Sequence, residues 1–375
     1  MKRVSRYQVD LGIIISLLIF SVISIITIYS AQSLLIDTND LYIKQIIWYI
    51  VGFLLAFFVM FIGNNYIYKN IWFLYGIGII SLILLLIFGT PINDAKCWFT
   101  IKHIGTIQPS EFMKIILIVT EAVLIDKFNN DFPNPSVKEE FMFLIKIGIV
   151  VLVPSILTFL QPDTGVVLIY LLITIVMLFV SGIRYRWFVL LFLIAGVGVG
   201  TILGIYFLNN ELFIKIFGTS FFLRVDRLLD WSNSSGFQLE NGLSAIGAGG
   251  FLGTGFNNTP IYFPEPQTDF IFAVFASNFG FLGVILLLGL ILFFDIRLIT
   301  IANKNNFNVN KYVIAGIVGM LIYQQVQNIG MTFGLMPITG ITLPFISYGG
   351  SSLLSYMIMA GIIFTISNES LRYTN

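Results

Sequence analysis

The chain has 375 residues, of which 57% are hydrophobic and only 10% charged, with a mean hydropathy of +0.94 and a formal net charge of +1. Soluble domains carry about 25% charged residues, so this composition excludes a water-soluble fold and predicts a polytopic membrane protein. The single cysteine, Cys97, excludes an intrachain disulfide, one Cys with one His argues against a zinc site of the usual type, and neither net charge nor motif points to nucleic acid.

A span needs about 20 mostly apolar residues. Ten runs qualify in chain order: Leu11–Tyr29, Ile46–Ile62, Ile71–Phe88, Phe112–Ile125, Phe141–Phe159, Gly165–Ser181, Phe188–Phe207, Phe270–Phe294, Tyr312–Phe333 and Ser351–Ile366. The expected fold is all-α, with about ten transmembrane helices in one domain covering residues 1–375. Lys and Arg in short loops set orientation. Lys2, Arg3, Arg6, Lys69, Lys127, Lys138, Arg184, Arg186, Arg297, Lys304, Lys311 and Arg372 fall on one side, against Lys44, Lys96 and Lys102 on the other. Both termini are therefore expected in the cytoplasm. Residues from about Leu208 to Thr268 then form a long extracytoplasmic loop before the eighth span. Its Trp, Phe, Leu and Gly content predicts that it packs back on the membrane face.

Ionisable residues beside or inside spans are costly and usually functional. Gln108-Pro109-Ser110-Glu111 opens the fourth span, with Ser110 as the expected N-cap and Lys114 placed to pair with Glu111 at i, i+3. Read plainly, that is a helix start with a surface ion pair. Gln161-Pro162-Asp163-Thr164-Gly165 reads as a turn. Arg224, Asp226 and Arg227 lie in the aromatic-rich loop, either on a solvated amphipathic helix or as a clamp for a pyrophosphate, whose oxygens guanidinium binds in bidentate fashion. Glu265 and Asp269 stand at the mouth of the eighth span, where Asp269 reads as an N-cap. Gly247–Gly255 lacks the Lys-Ser/Thr ending of a phosphate loop, so nucleotide binding is rejected. Gly196, Gly200 and Gly204 of the seventh span suggest close helix packing, with a mobile gate as the alternative. Gln324, Gln325, Gln327 and Asn328 make the ninth span polar.

Pro337, Gly340, Pro344, Gly349 and Gly350 break the apolar run that follows. Freed backbone groups at membrane depth cost several kcal/mol unless protein or water satisfies them. This stretch is therefore either a re-entrant turn or a cavity wall lined by Thr339, Thr342, Ser347, Tyr348, Ser351 and Ser352.

The order NIGMTFGLMPITGI-x-LPFISYGGSS resembles the signature of the SEDS family (shape, elongation, division, sporulation), the RodA, FtsW and SpoVE glycosyltransferases. The resemblance runs over nearly the whole chain. It implies that Glu111 and Lys114 line the extracytoplasmic side of a central cavity, that Asp163 faces it, and that Asp269, in Pro-Glu-x-Gln-Thr-Asp-Phe-Ile-Phe, is the catalytic carboxylate. Gln267 stands where the family has His, Ser277-Asn278 where it has acids, Asp230-Trp231 where it has Asp-Pro, and Cys97 where it has Arg. The short C-terminal tail and compact length resemble RodA.

The implied activity is polymerisation of lipid II onto an undecaprenyl-linked glycan at the outer face of a bacterial plasma membrane, with inversion and release of undecaprenyl pyrophosphate. The implied partner is a class B penicillin-binding protein. Asp269 is the expected catalytic base. Glu111, Lys114, Asp163, Arg224, Arg227, Glu265, Asn328, Ser347 and Ser351 are the expected substrate-binding or cavity residues, and Mg or Mn is the expected cation if one takes part. A lipid II flippase is the competing reading. It needs polar groups near the midplane, whereas the sequence places only amides there. A structural scaffold is a third.

Overall fold

The computed structural model describes residues 9–35, 40–92, 95–101, 105–230 and 236–373. Lys2, Arg3, Arg6, Lys102 and Trp231 lie outside these residues, and so do the side chains of Arg224, Arg227 and Arg372. In chain order the elements are α1 (Leu11–Gln32), α2 (Leu41–Ile62), α3 (Asn64–Lys69), α4 (Ile71–Phe88), β1 (Thr90–Ile92), β2 (Ala95–Ile101), β3 (Gly105–Ile107), α5 (Pro109–Asp131), α6 (Val137–Leu160), α7 (Thr164–Val180), α8 (Tyr185–Leu208), α9 (Asn210–Phe217), α10 (Thr219–Asp230), α11 (Phe237–Gly249), α12 (Ile271–Lys304), α13 (Asn308–Thr332) and α14 (Gly350–Tyr373).

Among the described residues, eight of these helices are long and apolar enough to cross a membrane. The other two expected spans are also helical. One is α7, of 17 residues, and the other is α5, whose 23 residues carry the charges of the Glu111 motif. The chain is a multi-pass, all-α membrane protein. A small antiparallel sheet, β1-β2-β3, sits between α4 and α5 and was not expected from the sequence.

Side-chain contacts sort the helix ends into two groups. At one end, Asp10 before α1 pairs with Arg297 of α12 and accepts from it at Nε over 3.2 Å, while Ser367 of α14 accepts from the Asp10 N–H. The start of α5, the start of α7, the start of α12 and the end of α13 meet at the opposite end. The core runs through α5, α13 and α14. By contrast, α8 has no buried residue, and a Cβ on Gly196, Gly200 or Gly204 would meet nothing within 4 Å. The close packing expected of those glycines is therefore not observed.

The segment before α12 is ordered into α9, α10 and α11, and its glycine-rich end has a structural task. Gly280 takes φ 62°, ψ −165° inside α12 and breaks the helix. The Gly249–Gly255 loop fills the break. Thr254 N–H donates to Ser277 O over 2.9 Å and Gly255 N–H to Asn278 O over 3.2 Å. In return, Gly250 O and Phe251 O accept from Phe281 and Leu282 over 3.0 and 3.1 Å. No Cβ fits at this crossing: one on Gly253 would lie 2.1 Å from Asn278 O.

The Pro/Gly-broken stretch between α13 and α14 is non-helical, and side chains of neighbouring helices pair its backbone. Tyr49 Oη donates to Phe345 O, Ser24 Oγ to Ile346 O over 2.8 Å, Gln45 Nε2 to Ser347 O over 3.3 Å and Gln327 Nε2 to Pro337 O over 2.8 Å. This is the satisfaction that broken backbone at membrane depth requires. Phe345 is held at φ 64°, a region bulky residues avoid, while its ring stacks on Phe20 with centroids 5.7 Å apart.

Candidate functional site

Two polar groups lie beside the Thr339–Ile341 stretch. The first is built on α5 and α7. Pro109 occupies the first turn of α5, and Gln108, not Ser110, is its N-cap residue. The ring fixes φ and needs no N–H there, which moves the cap two positions earlier than the Ser110 expected from sequence. Glu111 and Lys114 pair at 2.8 Å, and both are buried, Lys114 completely. They are not the surface pair that the plain reading allowed. The Lys114 ammonium also lies 5.3 Å from the ring centroid of Tyr356 on α14, whose hydroxyl accepts from Gln324 over 2.9 Å. Asp163 is the N-cap of α7, accepting from Val166 N–H over 3.2 Å, and takes a 2.7 Å hydrogen bond from Gln108 Nε2. Burial pushes its carboxyl up to about 6. The Glu111 charge adds to this, while the Val166 N–H, Lys114 and Gln108 oppose it. Ser351 is enclosed: its hydroxyl accepts from Gln108 N–H over 2.9 Å and donates to Thr106 O over 3.2 Å.

The second group is the turn before α12. Phe270 is the N-cap residue of α12, so Asp269 precedes the helix and does not cap it, contrary to the expectation. The carboxyl stays available for other work. Burial pushes it up to about 7. The Glu265 charge adds to the rise and a Thr268 hydrogen bond opposes it. Glu265 is exposed, sits at φ 51°, and accepts from Gln267 Nε2 and Thr268 Oγ1, both over 3.0 Å. Gln267 thus orients Glu265. Asn328 and Ser347 contact main-chain atoms of this turn.

Gly165 and Gly340 bring the groups together. A Cβ on Gly165 would lie 3.0 Å from Thr339 O, and one on Gly340 would lie 3.6 Å from Oδ2 of Asp269. Gly165, two residues after Asp163, and Asp269 therefore both pack against the Thr339–Ile341 stretch. Beside α5, an apolar cavity of about 640 Å³ opens between α2, α4, α5 and α14, lined among others by Val59, Leu74, Phe112, Ile115 and Ile358. Cys97 donates its thiol to Gln161 O over 2.7 Å, and burial, then the Asp163 charge, push it up to about 12. A thiol so raised stays protonated at neutral pH. Arg224 and Arg227 fall on α10, whose Asp226 accepts from Tyr206 Oη over 2.6 Å.

Three buried carboxylates were missed; one, Glu140 on α6, pairs with Arg184 at 3.3 Å. Glu121 is fully buried on α5, with Oε1 accepting from Thr174 Oγ1 over 2.7 Å. Asp295 is buried on α12 beside Gln325 Nε2 at 3.4 Å. The expectation of amides alone at depth is thus overturned. Glu121 lies seven residues, two turns, beyond Lys114 and so on the same helix face, a spacing visible in the sequence. Among the described residues, no group of three or more His, Cys, Asp or Glu is placed to hold a metal ion.

The family model for the cell cycle proteins FtsW, RodA and SpoVE matches residues 8–372. The chain is 31% identical to the probable peptidoglycan glycosyltransferase FtsW of Coxiella burnetii, over 98% of this chain and 99% of that protein. It is 33% identical to the stage V sporulation protein E of Bacillus subtilis, over 96% and 97%. Among solved structures, a chain of a peptidoglycan synthase complex that coordinates polymerization and crosslinking superposes with TM-score 0.80 at 27% identity, covering 96% of this chain and 98% of that one. The rod shape determining protein RodA of Thermus thermophilus superposes with TM-score 0.70 at 26% identity, covering 96% and 97%.

Proposed function

Because the chain belongs to the FtsW, RodA and SpoVE family of cell cycle proteins, we infer that it is a peptidoglycan glycosyltransferase of the membrane. The observation that carries the chemistry is Asp269: a carboxyl free of helix capping, half-buried, and raised to about 7. A general base works best when its pKa lies near the operating pH.

The substrate is lipid II, and the donor is a glycan on undecaprenyl pyrophosphate. Asp269 accepts the proton of the acceptor's 4-hydroxyl as that oxygen bonds to the donor's anomeric carbon. The bond from that carbon to pyrophosphate breaks, and the pyrophosphate leaves with the electron pair. Attack from the face opposite the leaving group inverts the centre and gives a β-1,4 bond. Positioned general-base catalysis contributes about 10²–10⁴-fold. Lys114 is completely buried, so its charge acts through Glu111 and Asp163 and not by touching pyrophosphate. Arg224 and Arg227 are the groups proposed to meet the leaving charge. The apolar cavity beside α5 suits a prenyl chain.

A class B penicillin-binding protein is the proposed partner, and the plasma membrane of a bacterium the proposed location. The relatives carry all three family names, so they do not divide elongation from division or sporulation.

The test gives the purified chain and partner labelled lipid II and resolves the products by length. The expected result is a ladder of polymer. No polymer, together with passage of lipid II across liposomes carrying the protein, would establish the flippase instead.

A further inference from the structure

We propose that Asn328 and Ser347 are positioning residues that hold the main chain carrying Asp269, and that neither touches the sugars. The proposal rests on the glycosyltransferase reading above and revises the sequence-based grouping of both residues with the substrate contacts.

Three successive carbonyls of the turn before α12 each receive a hydrogen bond from α13 or the broken stretch. Gln267 O accepts from Tyr348 N–H over 2.8 Å, Thr268 O from Ser347 Oγ over 2.7 Å, and Asp269 O from Asn328 Nδ2 over 2.9 Å. Asn328 uses its second N–H on Ile341 O at 2.8 Å, so one amide ties the turn to the broken stretch. Ser347 Oγ also accepts from Leu343 N–H over 2.9 Å, which fixes the direction of its own O–H. Asn328 is 0% exposed and Ser347 5%. A sugar hydroxyl has no access to the first and almost none to the second.

The clamp is anchored from behind. Its neighbours Phe345, Ile346 and Ser347 are held through their carbonyls by Tyr49 and Gln45 of α2 and Ser24 of α1. Within the turn itself α12 starts without a side-chain cap, Glu265 O accepts from Thr268 and Phe270 N–H over 3.3 and 3.2 Å, and the Glu265 carboxylate accepts from Gln267 and Thr268 side chains, all of them bonds inside the turn that do not fix it to the rest of the molecule. The carboxyl of Asp269 also lies against Gly340 of the same stretch. The broken run thus sets where the base stands. Its proline and glycine content lets its backbone and serine groups reach the turn beside the Asn328 amide of α13.

A loss of about 1 Å in placement costs up to about 10²-fold in rate. The experiment uses the full chain with its partner in nanodiscs and measures kcat, KM for lipid II and thermal midpoint for wild type, Ser347→Ala, Ser347→Thr and Asn328→Ala. Ser347→Ala is expected to lower kcat by about 10–10²-fold with KM within about twofold. Ser347→Thr, which keeps the hydroxyl, is expected to retain kcat within about threefold. Asn328→Ala is expected to lower kcat at least as much as Ser347→Ala. A rise in KM at unchanged kcat would make these residues substrate contacts and overturn the proposal. Full kcat in a folded Ser347→Ala would overturn it too, and so would lost kcat in a folded Ser347→Thr. Wild type that makes no polymer would overturn the glycosyltransferase reading itself, and the clamp with it.

Discussion

At the residue scale, the account turns on two carboxyls and one buried ion pair. Asp269 works as a base only when ionised. With its carboxyl raised to about 7, polymerisation should fall as pH drops through that value, and the loss should be visible as an acidic limb in a kcat/KM profile. The sign for stability is the reverse of an ordinary salt-bridged acid. A carboxyl raised in the folded state holds its proton more tightly there, so its ionisation costs stability as pH rises from its unfolded value toward 7. Asp269→Asn should therefore leave the thermal midpoint at pH 8 unchanged or higher, read by scanning fluorimetry. For Glu111 and Lys114 the expectation is opposite. Lys114→Met strands a buried carboxylate and should cost about 3–5 kcal/mol, whereas Glu111→Gln with Lys114→Met should recover much of it. Equal midpoints for the single and double variants would contradict this. Asp269, Glu111, Lys114 and Asp163 were all singled out as candidates in the sequence, because ionisable groups beside apolar runs are rare. Their depth and partners were not: i, i+3 spacing fits an exposed pair as well as a buried one. Glu121 was missed because it lies within an apolar run with no turn or motif beside it.

At the element scale, the break in α12 and the Gly-rich loop form one unit. Gly280 and Gly253 both take positive φ, and a Cβ on Gly280 would lie 2.3 Å from Gly253 N. Gly280→Ala should therefore cost about 2–4 kcal/mol through strain and contact combined, while Gly148→Ala, with nothing within 4 Å, should cost little. A denaturant series on the two variants in micelles decides it, and equal stability would contradict the packing described. The sequence excluded a phosphate loop at this glycine run but did not show its mate, since a helix break at Gly280 leaves no proline to announce it. Helix starts shifted for local reasons: Pro109 moved the cap of α5 to Gln108, and the Glu265 turn displaced Asp269 from the cap of α12. The three strands escaped notice because two of them are three residues long. The broken stretch was legible, because proline and glycine at membrane depth have few structural explanations.

At the scale of the whole molecule, the ten expected spans correspond to ten long helices among the described residues, since apolar runs of span length are the strongest pattern a sequence offers. The loose seating of α8 was illegible, because an apolar helix reads the same whether it faces protein or lipid. Orientation is a prediction from the Lys and Arg distribution. In a Cys97→Ser background, Tyr262→Cys should react with an impermeant maleimide in intact cells and Asn134→Cys only after permeabilisation. The reverse pattern would place the Asp269 turn in the cytoplasm and end the account of an extracytoplasmic reaction. The claim on which the rest depends is that Asp269 performs the chemistry. The direct measurement is polymerisation of labelled lipid II by wild type and Asp269→Asn, each folded and bound to its partner. The account predicts glycan polymer from wild type and none from the variant; equal polymer from both would contradict it and move the chemistry away from Asp269.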